Sequence, residues 1–250
     1  MALPEPRDAV VISAGGRGCR WQNYTGVPKQ LVKIEGWPLL TRAVELFAHA
    51  RPGARISIVA NDPRMAVPGA ELVGPDPALF DCGFDKVTCG RSRWSAGGRT
   101  FIVWGDVWWT GTAVRRICAP GQPPLMWYGR NRDSLVTGKP WRELWGLSVL
   151  PEQRDQLVAL CLAGAGLFKS HRIPRDLAWT VYQLANGQAP TAPPRDSENL
   201  LEVDDWTEDF DHPSDLDRWL AARARLWCNE RESDEHTPTI REVAGTHPDG

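Results

Sequence analysis

The run Ala9-Val-Val-Ile-Ser13, broken at once by Ala14-Gly-Gly-Arg-Gly18, constrains the fold more than any other stretch of this 250-residue sequence. A short, continuously apolar, β-rich segment has no polar face to offer water, so it predicts a strand buried on both sides, as in the middle of a parallel sheet. Glycines placed directly after such a strand remove Cβ atoms where the chain turns, and backbone N–H groups can then approach an anion closely. This is the layout of a phosphate site at a sheet edge, with Ala14, Gly15, Gly16 and Gly18 as its candidate backbone contacts.

The chain beyond the loop repeats the alternation of strand and helix. Pro38 can open a helix in which Leu39, Leu40, Ala43, Val44, Phe47 and Ala48 recur at helical spacing before Pro52-Gly53 ends it. Residues 55–60 and 100–104 read as further strands, the latter ended by Gly105-Asp106. Together they predict an α/β fold built on a mostly parallel, doubly wound, Rossmann-like sheet. Later strands are expected at 125–128, 144–150 and 200–203, and helices at 151–163, 174–186 and from Pro213 onward. Residues 62–99 read as loops around a short helix, and 189–194 as a stiff proline-rich linker. One domain over residues 1–228 is expected, followed by a disordered polar tail over 229–250.

Composition narrows the class. With 42% hydrophobic and 24% charged residues the chain is an ordinary globular one, and no apolar run approaches the roughly 20 residues that cross a bilayer. The first residues lack the basic flank and long apolar core of a signal peptide, so a cytoplasmic protein without a membrane partner is expected. Six cysteines at 19, 82, 89, 118, 161 and 228 form no CxxC pair, which predicts reduced, mostly buried thiols instead of a zinc knuckle or disulfide framework. The net charge of −2 divides into +9 over the first 195 residues and −11 over the remainder. A cationic body suits a polyanionic ligand, and mutual neutralisation of the two segments explains the asymmetry equally well.

Arg20 and Lys29 follow the glycine loop closely enough to return to the same anion, where fixed cations offset charge that develops on phosphoryl oxygens. The absence of Gly-Lys-Ser/Thr excludes a Walker loop, and Gly16-Arg-Gly18 lacks the third glycine of the dinucleotide fingerprint. Asp106 stands at the C-terminal end of a predicted strand, where open α/β sheets place their ligand chemistry.

Ala14-Gly-Gly-Arg-Gly-Cys-Arg-Trp21, Pro28-Lys-Gln-Leu31 and Gly36-Trp-Pro-Leu-Leu40 resemble the signature of the nucleotidyltransferase superfamily. This group includes sugar-phosphate nucleotidyltransferases, the methylerythritol-phosphate cytidylyltransferase and the molybdenum-cofactor guanylyltransferase. The chain departs from the pattern at Cys19 and Trp21, and in a longer gap between Arg20 and Lys29. The resemblance implies a glycosyltransferase-A type fold, a nucleotide triphosphate wrapped by the loop, and Arg20 and Lys29 on its phosphates. It further implies a metal carboxylate at Asp106. Glu208-Asp-Phe-Asp-His-Pro-Ser-Asp-Leu216 resembles the late acidic motif of the guanylyl- and cytidylyl-transferring members. By that likeness Asp211 supplies the second metal carboxylate, with Asp209 one alternation away on the same face. Such hard oxygen ligands, shared with phosphates, suit Mg²⁺ or Mn²⁺ over zinc.

The middle of the chain interleaves cations with aromatics at 91–94, 128–132 and 141–144, a composition suited to stacking bases or sugars and holding phosphates. The likeness places the acceptor there, with Arg91, Arg93, Arg130 and Glu143 as substrate-binding candidates. Two activities follow. The first joins a nucleoside triphosphate to a sugar phosphate or similar small phosphorylated substrate, with catalytic roles for Arg20, Lys29 and Asp106. The second is glycosyl transfer from a nucleotide sugar to a large anionic acceptor such as modified DNA. A noncatalytic binding module on the same fold is a third reading.

Overall fold

The computed structural model describes residues 7–15, 21, 24, 26–77, 86–140, 142–170 and 177–235, the side chains of Leu177 and of residues 226–235 apart. Five successive buried residues, Ala9–Ser13, form β1. The chain then makes a small antiparallel hairpin of β2 (Lys33–Ile34) and β3 (Trp37–Pro38) before α1 (Leu39–Ala50). Glu35 and Gly36, at φ 51° and 83°, form a two-residue turn whose positive φ values match the twist of the strands it joins. The helix α1 buries Leu39, Leu40, Ala43, Val44 and Phe47 of the stripe its spacing predicts, while Ala48 is exposed.

Three parallel strands complete the first half: β4 (Arg55–Val59), β5 (Glu71–Val73) and β6 (Thr100–Trp104). β1 lies between β4 and β6, with Ile12 opposite Ile58 on one side and Val103 on the other. That central place explains why its sequence is apolar at successive positions instead of alternating. Next come β7 (Val107–Trp108), α2 (Gly111–Ile117), β8 (Leu125–Arg130) and β9 (Glu143–Val149). Thr110 caps α2, its hydroxyl accepting the Ala113 N–H at 2.9 Å. The remaining elements are α3 (Arg154–Lys169), α4 (Leu177–Ala185), β10 (Leu200–Glu202), β11 (Glu208–Asp209) and α5 (Pro213–Glu235).

The seven-stranded sheet has the order β10-β8-β9-β6-β1-β4-β5 and is parallel except at β9, which runs against both β6 and β8. Two strand glycines permit this insertion. A Cβ on Gly146 would lie 2.5 Å from the Ile102 carbonyl oxygen, and one on Gly129 would lie 2.1 Å from that of Glu143, where the register shifts. The expected doubly wound architecture is therefore present, with one reversed strand that apolar patterning alone does not distinguish.

Several boundaries differ from the sequence expectation. α3 runs to Lys169, six residues beyond the expected end, because Gly164 and Ala165 are buried and tertiary packing against α4 outweighs the poor helix propensity of a Gly-Ala-Gly stretch. α5 continues past Cys228 to Glu235, into the stretch where a disordered tail was expected; three of the seven added residues are Glu, which favours helix without needing a core, and residues 236–250 of that tail lie outside the described residues. Residues 171–176, the start of the expected helix at 174, lie outside the described residues.

Cys118 and Cys161 are buried and Cys89 half-buried, and burial pushes the Cys118 thiol up to about 11. Among the described residues no helix is long and apolar enough to cross a membrane. Besides the main core, Trp21, Val32, Ile34, Leu39, Trp108, Phe210, Leu216 and Trp219 form a second apolar cluster. It joins the β2–β3 hairpin to β7, β11 and α5, so the elements carrying the acidic motifs rest on one packed base.

Candidate active site

At the C-terminal end of β1 the Ala14 N–H donates to the Val59 carbonyl and the Gly105 N–H donates to the Ser13 carbonyl, each at 3.0 Å. These bonds draw the ends of β1, β4 and β6 together. A Cβ on Gly105 would meet the Ala14 Cβ at 3.1 Å, so glycine there lets the turn carrying Asp106 close onto the strand end. Pro28 leads into a single 3-10 turn, Lys29–Leu31. Within it the buried Gln30 side-chain amide donates to the Ala14 carbonyl oxygen at 3.1 Å, which ties the turn to β1 and aims Lys29 across it. Gln30 is a positioning residue whose role the triplet Pro-Lys-Gln alone does not reveal.

The acidic motif arrives from far along the chain. β11 pairs antiparallel with β7, Asp209 opposite Val107, and this two-residue ladder sets Asp211 beside Asp106. The Lys29 ammonium bridges them, with Nζ 2.5 Å from Asp106 Oδ2 and 3.0 Å from Asp211 Oδ1. Lys86 approaches the same Asp106 oxygen at 3.6 Å. Burial by itself would push the Asp106 carboxyl up, but the Lys29 and Lys86 cations outweigh it and hold that carboxyl well below the usual carboxylate range. Burial likewise pulls Lys29 down, and the charges of Asp106 and Asp211 more than reverse it, so the ammonium is held above its ordinary value. Both groups are therefore ionised at neutral pH.

The other oxygen of Asp106, Oδ1, is buried without a hydrogen-bond partner among the described residues. A buried carboxylate oxygen left in this state is a donor for a hard cation or a polar ligand. Among the described residues no group of three or more His, Cys, Asp or Glu side chains is set to hold a metal. Asp106 and Asp211 fit Mg²⁺ or Mn²⁺ as a two-carboxylate set, the kind completed by substrate phosphates and water.

Asp209 has a different place. It belongs to a second cluster centred on the fully buried Lys139, whose Nζ lies 3.0 Å from Asp209 Oδ1, 3.5 Å from Glu208 Oε1, 3.5 Å from Asp215 Oδ2 and 3.8 Å from Glu143 Oε1. Burial and the charge of nearby Asp211 and Glu208 raise the Asp209 carboxyl although Lys139 opposes them. Glu143 opens β9 at the border of this cluster, and burial followed by Asp209 pushes its carboxyl well above the ordinary range. Lys139 was not legible as a site residue: a lysine between Gly138 and Pro140 carries the signature of an exposed turn.

The remaining substrate candidates separate from the site. Arg130 is buried and turns its guanidinium onto Glu208, with Nη1 3.2 Å from Oε2, so it is an internal ion pair and not an acceptor contact. Arg93 pairs with Glu71 at 3.1 Å, and its carbonyl accepts from the side chain of Arg55, the first residue of β4. Arg93, and Arg91 in the same 3-10 turn, thus lie toward the N-terminal edge of the parallel strands, away from Ala14 and Asp106. Trp94 and Tyr128, expected on a stacking surface, are buried. Gly16, Gly18 and Arg20 lie outside the described residues.

No family model and no curated protein matches the sequence. Solved structures do match. Rv0371c from Mycobacterium tuberculosis H37Rv superposes with a TM-score of 0.52 at 16% identity, covering 88% of this chain and 100% of that one. The CTP:phosphocholine cytidylyltransferase from Streptococcus pneumoniae gives 0.51 at 13% identity, with 85% and 97% covered. The inositol-1-phosphate CTP transferase from T. maritima gives 0.50 at 13% identity, with 85% and 92% covered. The chain shares the fold of these three structures. Within it, Lys29, Asp106 and Asp211 converge at the C-terminal edge of the sheet, the edge at which open α/β sheets bind ligands.

Proposed function

We propose that this chain is a nucleotidyltransferase that joins a nucleoside triphosphate to a small phosphomonoester with release of pyrophosphate. The observation that supports it most is the Lys29 bridge: one buried cation set between two carboxylates beside the strand end from which the glycine loop departs. Two structural neighbours support the substrate class, since each is named for CTP and a phosphomonoester, phosphocholine in one and inositol 1-phosphate in the other.

In this reading an oxygen of the phosphomonoester attacks the α-phosphorus of the triphosphate in line. The bond from that phosphorus to the bridging oxygen breaks, and pyrophosphate leaves with the electron pair. Lys29 offsets the charge that grows on the departing phosphates, and the backbone N–H groups around Gly15 orient them. Asp106 and Asp211 would hold Mg²⁺ or Mn²⁺, which when bound supplies positive charge to the phosphoryl oxygens. Gln30 keeps the Lys29 turn against β1, so the cation is positioned before substrate arrives.

The test is release of pyrophosphate from each common nucleoside triphosphate with a panel of sugar phosphates and phosphocholine, for the wild type and for Lys29→Ala and Asp106→Ala. Both variants are expected to lose turnover with the fold intact by circular dichroism. Near-normal turnover in either would refute the assignment, and nucleoside diphosphate release from a nucleotide sugar would replace it with glycosyl transfer.

A further inference from the structure

Lys139 holds the chain on both sides of Asp211. On one side its ammonium donates to the Asp209 carbonyl oxygen at 2.9 Å and to Asp209 Oδ1 at 3.0 Å. On the other it lies 3.5 Å from Asp215 Oδ2, the oxygen that accepts the His212 N–H at 2.8 Å. The Asp215 N–H in turn donates to the His212 carbonyl at 2.9 Å, so the residue after Asp211 is fixed reciprocally at the start of α5. The lysine itself is fixed by a tight turn: the Ser134 N–H donates to the Lys139 carbonyl and the Gly138 N–H to the Ser134 carbonyl, both at 2.9 Å, with Gly138 at φ 66°. Its third donor points at Glu208 Oε1, 3.5 Å away, so the ammonium has no donor left for a substrate.

We propose that Lys139 is a positioning residue for Asp211, clamping the strand before it and the helix start after it so that its carboxylate faces Lys29 and Asp106. The inference rests on the reading of Asp211 as a metal-holding carboxylate. Charge and position make opposite demands on this lysine, which makes the proposal testable by sign. A cation beside a metal site repels the metal, so deleting it through charge alone strengthens metal binding. Deleting a clamp misplaces a ligand and weakens binding.

The experiment is water proton relaxation enhancement by Mn²⁺ in the presence of each of the four common nucleoside triphosphates, which reads the ternary complex and not turnover. The variants are Lys139→Met, Asp215→Asn and Thr137→Val. Lys139→Met is expected to weaken Mn²⁺ in the ternary complex by roughly 10- to 100-fold, and Asp215→Asn by a smaller factor, since asparagine keeps the cap but loses the ion pair. Thr137→Val removes a hydroxyl that donates to Glu208 Oε2 at 3.0 Å, without touching Asp209 or Asp215, and is expected to stay within about twofold of wild type. Should Lys139→Met not fold, Asp215→Asn decides. Binding as tight as wild type or tighter in the deciding variant overturns the proposal, as does an equal loss in Thr137→Val. Absence of enhancement in the wild type with all four nucleotides overturns the reading of the site itself, and the proposal with it.

Discussion

Two buried lysines, Lys29 and Lys139, sit among carboxylates on neighbouring parts of one molecule, and they are built to different ends. Lys139 is fully enclosed, faces four carboxylates, and spends its donors on Asp209, through carboxylate and backbone carbonyl, and on Glu208. Arg130, Ser134 and Thr137 satisfy the same Glu208 from the other side. Among the described residues Lys29 pairs with two carboxylates and leaves one Asp106 oxygen buried without a hydrogen bond. A saturated cluster holds structure, because nothing remains for a ligand to gain; an undersaturated one at a strand edge holds capacity for a ligand. The difference separates function from scaffold more sharply than residue type does, since both centres are lysines with aspartates.

The largest expected effect tests the undersaturated centre. Lys29→Ala and Asp106→Ala should each lower the rate of pyrophosphate release on the order of 10³-fold, as removal of a charge-stabilising group does in phosphoryl chemistry. A rate within a few-fold of wild type would make Lys29 another scaffold lysine. Next comes the saturated centre: Lys139→Met leaves several buried carboxylates without their cation and should cost about 3–5 kcal/mol in denaturant unfolding, the typical loss on breaking a buried ion pair. A loss near zero would mean that the cluster does not hold the fold.

A third prediction uses acid. Because the Asp106 carboxyl is held below its unfolded value near 3.9, its contribution to stability is complete above about that pH and is lost as pH falls through the folded value. In Lys29→Met burial is opposed by Lys86 and the backbone N–H of Asp106 without the Lys29 cation, the folded value rises, and the acid-unfolding midpoint should move to higher pH. An unchanged midpoint by circular dichroism would show that Lys29 does not set the charge of Asp106. The smallest effect belongs to Glu143, whose folded carboxyl is raised: ionising it in the folded protein is unfavourable above its unfolded pKa. Glu143→Gln should therefore raise Tm by about 1–3 °C at pH 8, with the gain fading toward pH 4. A lower Tm at pH 8 would assign Glu143 a stabilising charge.

How far this was legible in the sequence follows from the kind of signal each part leaves. β1, β4, β6 and α1 were readable because central strands and amphipathic helices write their burial into apolar spacing. Lys29, Asp106 and Asp211 were readable as short motifs flanking those elements, although what brings them together was not. That juxtaposition depends on the two-residue pairing of β7 with β11, too short to leave a pattern. Lys139 and Arg130 were misjudged or missed because sequence spacing records no partner for a cation, and long charged side chains are by default exposed. The reversal of β9 escaped for a related reason: a strand buried on both faces looks alike in either direction, and only Gly129 and Gly146 mark the difference.

The ladder between β7 and β11 also sets when the protein can become competent. Lys29 and Asp211 are separated by 182 residues, and a ribosome delivers the chain from its N-terminus. The sheet can begin to condense around β1 while Asp211 is still unsynthesised, so a nascent chain holds its lysine and first aspartate long before the partner that completes them. Competence is thereby postponed until the segment that carries Asp211 has been made.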